Sequence, residues 1–185
     1  MIILIYSLPF ILYLCSGIFS TVLVINLSYS GESAFFISLL AVFYGMGMMV
    51  CAGIFSKLKI SKKFYPKLLY IEACMQAIIS FLCIFFMNWQ IALLYSFFYG
   101  ANVTIFFVCF QSLLDSISKD LPIRISVGLF IFSWTFGLAI GPIISGLIYE
   151  LNPNIGFIIV ILMSILMFIL FYMSRHLHLK NNKHK

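Results

Sequence analysis

Charged residues are scarce in this sequence. It has eleven Lys and Arg and five Asp and Glu among 185 residues, so 9% of the chain is charged and 64% is hydrophobic. A soluble globule of this length needs more polar residues to cover its surface. The composition therefore excludes a soluble fold and indicates that lipid covers the chain.

The few charges divide the chain into long apolar runs, which cover 1–31, 33–56, 73–114, 125–149 and 151–174. A run of about 18 or more apolar residues can cross the membrane as a helix. The run 73–114 is long enough for two spans, and Trp89 near its middle suits the membrane interface. We therefore predict an all-α membrane fold with six transmembrane helices, over 2–27, 33–55, 66–86, 91–113, 125–149 and 155–174. One bundle occupies 1–174, and a basic tail occupies 175–185.

All eleven Lys and Arg residues emerge on one side of these spans, in the two basic loops near 57–67 and 119–124 and in the tail. The loops on the opposite side carry only Glu32 and Glu150. The positive-inside rule then predicts a multi-pass protein of the plasma membrane with both termini in the cytoplasm. Basic residues next to spans are typical of attraction to anionic lipid headgroups, and we expect no nucleic-acid partner.

Residue types that carry catalytic or metal chemistry are missing from the spans. No predicted span contains His or Asp, and the three His residues lie at 176, 178 and 184. The five cysteines (15, 51, 74, 83 and 109) include no Cys-x-x-Cys pair, so we expect small apolar packing residues and no disulfide or zinc site. The sequence predicts no cofactor, no metal and no enzymatic activity. An intramembrane enzyme and a channel are alternatives that it disfavours.

Helix 5 carries small residues at four-residue spacing: Ser133, Gly137, Gly141 and Ser145. Such a stripe lets two helix backbones approach closely in lipid, so we predict a seam against helix 2 or against another six-helix unit. Pro142, and likewise Pro9 in helix 1, should kink or open its helix. Glycines also cluster in helix 2, the second helix of the first triplet as helix 5 is of the second. Two inverted three-helix repeats would produce this pattern, and so would coincidence.

Residues 128–146 resemble the antiporter signature of the major facilitator superfamily, G-x8-G-x3-G-P-x2-G-G. The matching residues are Gly128, Gly137, Gly141, Pro142 and Gly146, with Ser145 in place of one glycine. The family has this motif on its fifth helix and associates it with exporters.

A cytoplasmic loop of the family, G-x-x-x-D-R-x-G-R-R/K, is similar to the segment that holds Gly53, Lys57, Lys62 and Lys63, although Lys57 occupies the acidic position. Ser96 stands four residues before Gly100 where proton-coupled members have Arg, which makes proton antiport less expected.

The resemblance implies one six-helix half of a secondary transporter of small molecules, of the efflux type, at half length. Such carriers rock two six-helix halves around a site near the membrane centre. We therefore expect a second half, either another copy or a separate chain, with an unknown small-molecule substrate. In the family, helices 1 and 4 line the cavity and helices 3 and 6 face lipid, which makes Asn26, Asn102 and Gln111 candidate cavity-lining residues. A non-transporting fragment of a broken gene is the alternative.

Glu72 is the one ionisable residue well inside a predicted span. A carboxylate within a membrane is a candidate functional charge because its burial is costly. It also lies about 9 Å from the cytoplasmic end of its helix, close enough to snorkel or to pair with a loop lysine. We expect the structural pairing and keep the functional role open.

Overall fold

Six α-helices make up the described part of the chain, as the hydrophobic runs predict. The computed structural model describes residues 2–58, 64–117, 122–152 and 154–181, and the side chains of 6–58, 64–112, 122–152 and 154–172. The helices are α1 (Ile2–Tyr29), α2 (Ala34–Lys57), α3 (Tyr65–Phe85), α4 (Trp89–Ile117), α5 (Ile123–Tyr149) and α6 (Ile155–Asn181). No strand occurs in these ranges.

All six helices are long and apolar enough to cross a membrane. This confirms the predicted six-helix membrane fold. The membrane-spanning window of α1 is 72% buried within the bundle, whereas those of α2 and α5 are each 17% buried. The first helix is therefore the centre of the bundle, and α2 and α5 expose most of their surface.

The helix ends differ from the sequence prediction where polar residues continue a helix. Helix α6 runs past 174 to Asn181, so most of the predicted tail is helical. Its Arg and Lys residues favour helix, and the helix can continue beyond the hydrocarbon region. Pro9 and Pro142 lie inside helices that continue on both sides of them, and Pro66 occupies the first turn of α3. Neither of the two interior prolines ends its helix, a tolerance that neighbouring helices commonly provide in membranes.

The helix pairs that pack most extensively are related by a symmetry between the first three helices and the last three. The most extensive packing joins α1 to α5 and α2 to α4, and the next joins α3 to α6, α1 to α6 and α3 to α4. The set of pairs is unchanged when α1 is exchanged with α4, α2 with α5 and α3 with α6. Under this exchange the α1–α5 pair becomes α4–α2, the α1–α6 pair becomes α4–α3, and the α3–α6 pair becomes itself. Since each triplet has an odd number of helices, the second triplet crosses in the opposite sense. These contacts are those of two interlocked, inverted three-helix repeats.

The close contacts of the glycines show the same symmetry at the level of single residues. In the α2–α4 pair, a Cβ added to Gly47 would collide with the carbonyl oxygen of Phe97, and one added to Gly100 would collide with that of Tyr44. In each helix, the residue whose carbonyl oxygen is contacted lies three positions before the glycine: Tyr44 before Gly47, and Phe97 before Gly100. The two backbones are therefore in reciprocal contact.

The α1–α5 pair repeats this arrangement. A Cβ added to Gly141 would lie 2.8 Å from the carbonyl oxygen of Leu14, and one added to Gly17 would lie 3.2 Å from that of Leu138. The spacing of three positions is the same as in the α2–α4 pair. Of the two partners that we predicted for α5, helix 2 is wrong: within this bundle α5 packs on α1, because the second helix of each repeat packs on the first helix of the other. A contact of α5 with another six-helix unit stays a prediction.

Candidate functional site

A cleft of ≈ 310 Å³ lies between the two repeats. Its walls come from α1 and α2 of the first repeat and from α4 and α5 of the second. The lining residues are Tyr13, Ser16, Phe19, Ser20, Leu23, Val24, Ile37, Leu40, Ala41, Tyr44, Ser96, Tyr99 and Leu138. These positions extend from the middle of α1 toward the α1–α2 loop. The cleft therefore lies between the membrane centre and that end of the bundle.

None of the lining residues is charged, and the polar groups of the cleft are hydroxyls of serine and tyrosine. Two of the serine hydroxyls are already used within the fold. Ser96 Oγ donates to the Leu40 carbonyl at 2.8 Å, and Ser20 Oγ donates to the Ser16 carbonyl at 2.8 Å. The Ser96 bond also joins α4 to α2. The cleft thus offers mainly aromatic and aliphatic surface to a ligand, with few free hydroxyls.

Tyr99 connects the cleft to the interior of the bundle. Its ring is stacked on that of Phe19, with 4.1 Å between centroids and planes 4° apart. Its hydroxyl accepts a hydrogen bond from Gln76 Nε2 at 2.8 Å. Tyr99 is only 1% exposed although it contributes to the lining, so it forms the floor of the cleft. Gln76 of α3 is therefore hydrogen-bonded directly to the residue that forms the floor of the cleft.

Behind Tyr99 lies a fully buried set of polar residues, which we call the polar cluster: Glu72, Gln76 and Ser80 of α3 with Asn102 of α4. The three α3 residues recur every four positions and so share one helix face. Asn102 Nδ2 donates to the Glu72 carbonyl oxygen at 3.1 Å and approaches Glu72 Oε1 at 3.4 Å. The Asn102 amide thus joins α4 to α3, as the hydrogen bond from Gln76 to Tyr99 also does.

Most polar atoms of this cluster lack a protein partner. Within the part of the chain that the structure describes, Glu72 Oε2, Gln76 Oε1, Ser80 Oγ and Asn102 Oδ1 make no hydrogen bond. The great majority of buried polar groups in proteins are paired, so four unpaired oxygens in one cluster are unusual. Each costs free energy comparable to a lost hydrogen bond.

Glu72 does not occupy the environment that the sequence led us to expect. Its side chain is 0% exposed, so it does not snorkel to the headgroups, whereas pairing with a loop lysine stays a prediction. No ion pair to Glu72 occurs among the described residues, although the loop lysines between 59 and 63 lie outside them. The ammonium group of Lys67 instead lies 5.5 Å from the ring centroid of Phe64. Helix α3 turns its polar stripe toward the bundle interior, because Asn102 and Tyr99 of α4 face it there.

The three candidate cavity residues lie in three different environments. Asn102 is inside the bundle, not on the surface where we expected it to face a second half. Asn26 is half-buried near the end of α1, where its Oδ1 accepts a hydrogen bond from the Tyr149 hydroxyl at 3.1 Å. Gln111 is exposed on α4. None of the three belongs to the cleft lining, so the structure does not bring them together.

The residues of the α5 motif divide into two groups. Gly137 and Gly141 face the α1 backbone so closely that a Cβ would clash at both. Pro142 lies beside them, and its ring would be 3.0 Å from a Cβ placed on Gly17. Gly128 and Gly146 have open space where a Cβ would be. Only the middle of the motif takes part in packing within this bundle.

The loop motif lies at the end of α2. Gly53 has open space around it, and Lys57 is the exposed last residue of the helix. Lys62 and Lys63 lie outside the described residues. Among the cysteines, Cys15, Cys51, Cys83 and Cys109 are buried as expected, and Cys74 is exposed. No group of three His, Cys, Asp or Glu side chains that could hold a metal ion occurs within the described ranges.

Sequence reasoning missed the tyrosines of the cleft, Tyr13, Tyr44 and Tyr99. Tyrosine is common here, with ten in the chain, and its ring is as suitable for packing as for binding. Ser16 and Ser20 are four positions apart and so share one face of α1, which could have indicated one wall of the cleft. The sequence could not indicate which other helices form the remaining walls. The chain was compared with protein-family models, with curated proteins and with solved structures, and none of them matches it.

Proposed function

We propose that the chain is one six-helix half of a secondary transporter of the major facilitator type, which exports small molecules across the plasma membrane. The observation that carries this proposal is the neutral cleft at the interface of two inverted three-helix repeats. Secondary transporters built from such repeats bind their substrates near the membrane centre, at the interface between repeats.

The lining of the cleft favours an uncharged, partly aromatic substrate. It offers the rings of three tyrosines and one phenylalanine, the hydroxyls of serines, and no ion-pairing group. A charged ligand would lose its hydration here without gaining a counter-charge, which is costly in a water-poor site. With both termini cytoplasmic, the cleft lies in the outer half of the membrane.

The glycine contacts of α1 and α5 support the exporter assignment. Gly17 and Gly141 bring backbone against backbone, with a distance of 2.7 Å from a Cβ on Gly141 to the Gly17 Cα. Such a seam has no interlocking side chains at that point, so two helices can slide or tilt with little repacking. The α5 motif that produces it is the one that the family associates with exporters.

A second six-helix half is required to enclose the substrate. The cleft walls come from α1, α2, α4 and α5 alone, and α2 and α5 leave most of their surface uncovered within this bundle. A second half packed over these four helices would close the cleft from the opposite side, and rocking between the halves would expose the site alternately.

Filling the cleft tests this function. Ala41 lines the cleft, whereas Ala52 is exposed on the same helix and does not line it. Cells that express the chain should accumulate less of an uncharged aromatic dye than cells that do not. Ala41→Trp should abolish that difference at an unchanged amount of membrane protein, and Ala52→Trp should preserve it. Equal dye accumulation with and without the chain, for neutral, cationic and anionic dyes alike, would favour the non-transporting alternative.

A further inference from the structure

The polar cluster contains a carboxyl group that the proposed substrate cleft does not use. Glu72 follows Tyr65, the first residue of α3, by seven positions, which is about 10 Å along a helix axis. Its side chain is fully buried at that depth, and one of its two oxygens has no protein partner. The fold therefore keeps a carboxyl group buried inside the bundle, with the side-chain amide of Asn102 beside it.

A bare carboxylate in this position is not balanced by any described group. Among the described residues, the titratable side chains that interact electrostatically with Glu72 are the Cys15 thiol of α1 and the Tyr99 hydroxyl and Cys109 thiol of α4. None of these is positively charged in either protonation state. The packed face of α6, as far as its side chains are described, presents no Lys, Arg or His to Glu72. Unpaired burial of a full charge costs several kcal/mol even after relaxation, so a positive charge must accompany the carboxylate.

The unpaired atoms around Glu72 are of the kind that accepts a positive charge. Gln76 Oε1 and Asn102 Oδ1 are amide oxygens without donors, and each belongs to a side chain next to Glu72 along α3 or across to α4. Amide and carboxylate oxygens are ligands for hard cations, and a carboxylate alone suffices for a proton. Ser80 lies two turns from Glu72, too far to share the same ion.

We infer that Glu72, with Gln76 and Asn102, is a binding site for one monovalent cation, a proton or Na⁺, buried behind the cleft. A proton would convert Glu72 into a neutral acid, whereas Na⁺ would take the carboxylate and the two amide oxygens as ligands. The site stands apart from the cleft and requires no transport activity. Gln76 links the two, since its Nε2 donates to the Tyr99 floor while its Oε1 remains free.

Thermal unfolding of the purified full chain in detergent tests the site without a substrate. If a proton is bound, the folded chain holds one proton more than the unfolded chain at pH values above about 4.3, the ordinary pKa of an exposed Glu, so Tm falls there as pH rises, by about 3–5 °C per pH unit. If Na⁺ is bound, Tm rises when NaCl replaces choline chloride at constant ionic strength and fixed pH. Glu72→Gln keeps the shape of the side chain without its charge, and should remove whichever dependence the wild type has.

Glu150→Gln is the matched control, because Glu150 is exposed at the end of α5 and faces water. It should respond to pH and Na⁺ as the wild type does. The inference would be overturned if the wild-type Tm changed with neither pH nor Na⁺, or if the same dependence persisted in Glu72→Gln.

Infrared spectroscopy provides a second readout that does not depend on the variant folding. At a pH where exposed carboxyl groups are ionised, a bound proton leaves the wild-type chain with a carboxylic-acid C=O band that does not titrate with the others. A bound Na⁺ leaves no such band but makes the carboxylate bands respond to Na⁺. Absence of both signals in the folded wild type would show that no cation is held at Glu72.

Discussion

The side-chain amide of Asn102 joins α4 to α3. Its Nδ2 donates to the backbone oxygen of Glu72 and approaches the Glu72 carboxyl group. Asn102→Leu would keep a similar volume but remove this donor from both buried acceptors, and should lower the free energy of unfolding by about 1–2 kcal/mol. Gln111→Leu makes the same change of amide to aliphatic on the exposed face of α4, and should have little effect. Thermal unfolding in detergent measures both, and equal losses would mean that the Asn102 bond contributes nothing.

Individual residues were also the level at which the sequence was least informative. Asn102 and Gln111 are both amides in one apolar helix, and the sequence could not separate them because their environments depend on the neighbouring helix. Glu72 could be recognised as exceptional from its charge alone, but its interior orientation could not. The orientation follows from Asn102 and Tyr99, which lie about thirty residues farther along the chain.

At the scale of the element, both glycine seams should be sensitive to one added methyl group. Gly47→Ala places a Cβ against the Phe97 carbonyl, and Gly141→Ala places one 2.7 Å from the Gly17 Cα. Each should destabilise the chain by about 1–3 kcal/mol through overpacking. Gly45→Ala on α2 and Gly146→Ala on α5 meet open space, and should be neutral or slightly stabilising because alanine favours helix. Unfolding curves of the four variants in one detergent compare the seams directly, and similar values for all four would contradict close packing there.

The helices themselves could be predicted from sequence because hydrophobicity is summed over about 20 residues and tolerates local exceptions. A stripe of small residues likewise indicated that some backbone approaches α5. It could not indicate which one, since a small face fits any similarly small face. The assignment to α1 rests on Gly17, a lone glycine in that helix whose role appears only when it meets Gly141.

For the whole molecule, the charge distribution predicts which ends of the helices face the cytoplasm. Single cysteines introduced at 30 and 152 should react with a membrane-impermeant maleimide from outside, and those at 61 and 182 only after the membrane is opened. Cys74 is the exposed native cysteine, so Cys74→Ala provides the background for this labelling. Outside labelling at 61 would reverse the orientation and with it the outer position of the cleft.

Assembly is the other prediction at this scale. Val24 and Leu138 lie at the cleft and are each 39% exposed, so a second half that closes the cleft should approach them. Cysteines introduced at these positions should form crosslinks in native membranes, to a second copy or to a separate chain that the product's mass distinguishes. The native Cys74 of α3, a helix that does not line the cleft, is the matched control and should remain uncrosslinked. Crosslinking at Cys74 alone would move the partner surface away from the cleft.

The exchange of partners between the two repeats has a consequence for how the chain is made. Helix α1, the most buried of the six, packs mainly on α5, and about 120 residues separate Gly17 from Gly141. At about 5–20 residues per second of synthesis, α1 waits roughly 6–25 s in the membrane before its main partner emerges from the ribosome. Through that interval the face of α1 that packs on α5, with Phe10, Leu14 and Gly17, is uncovered, so we expect the yield of folded protein to depend on how well that face is shielded during synthesis.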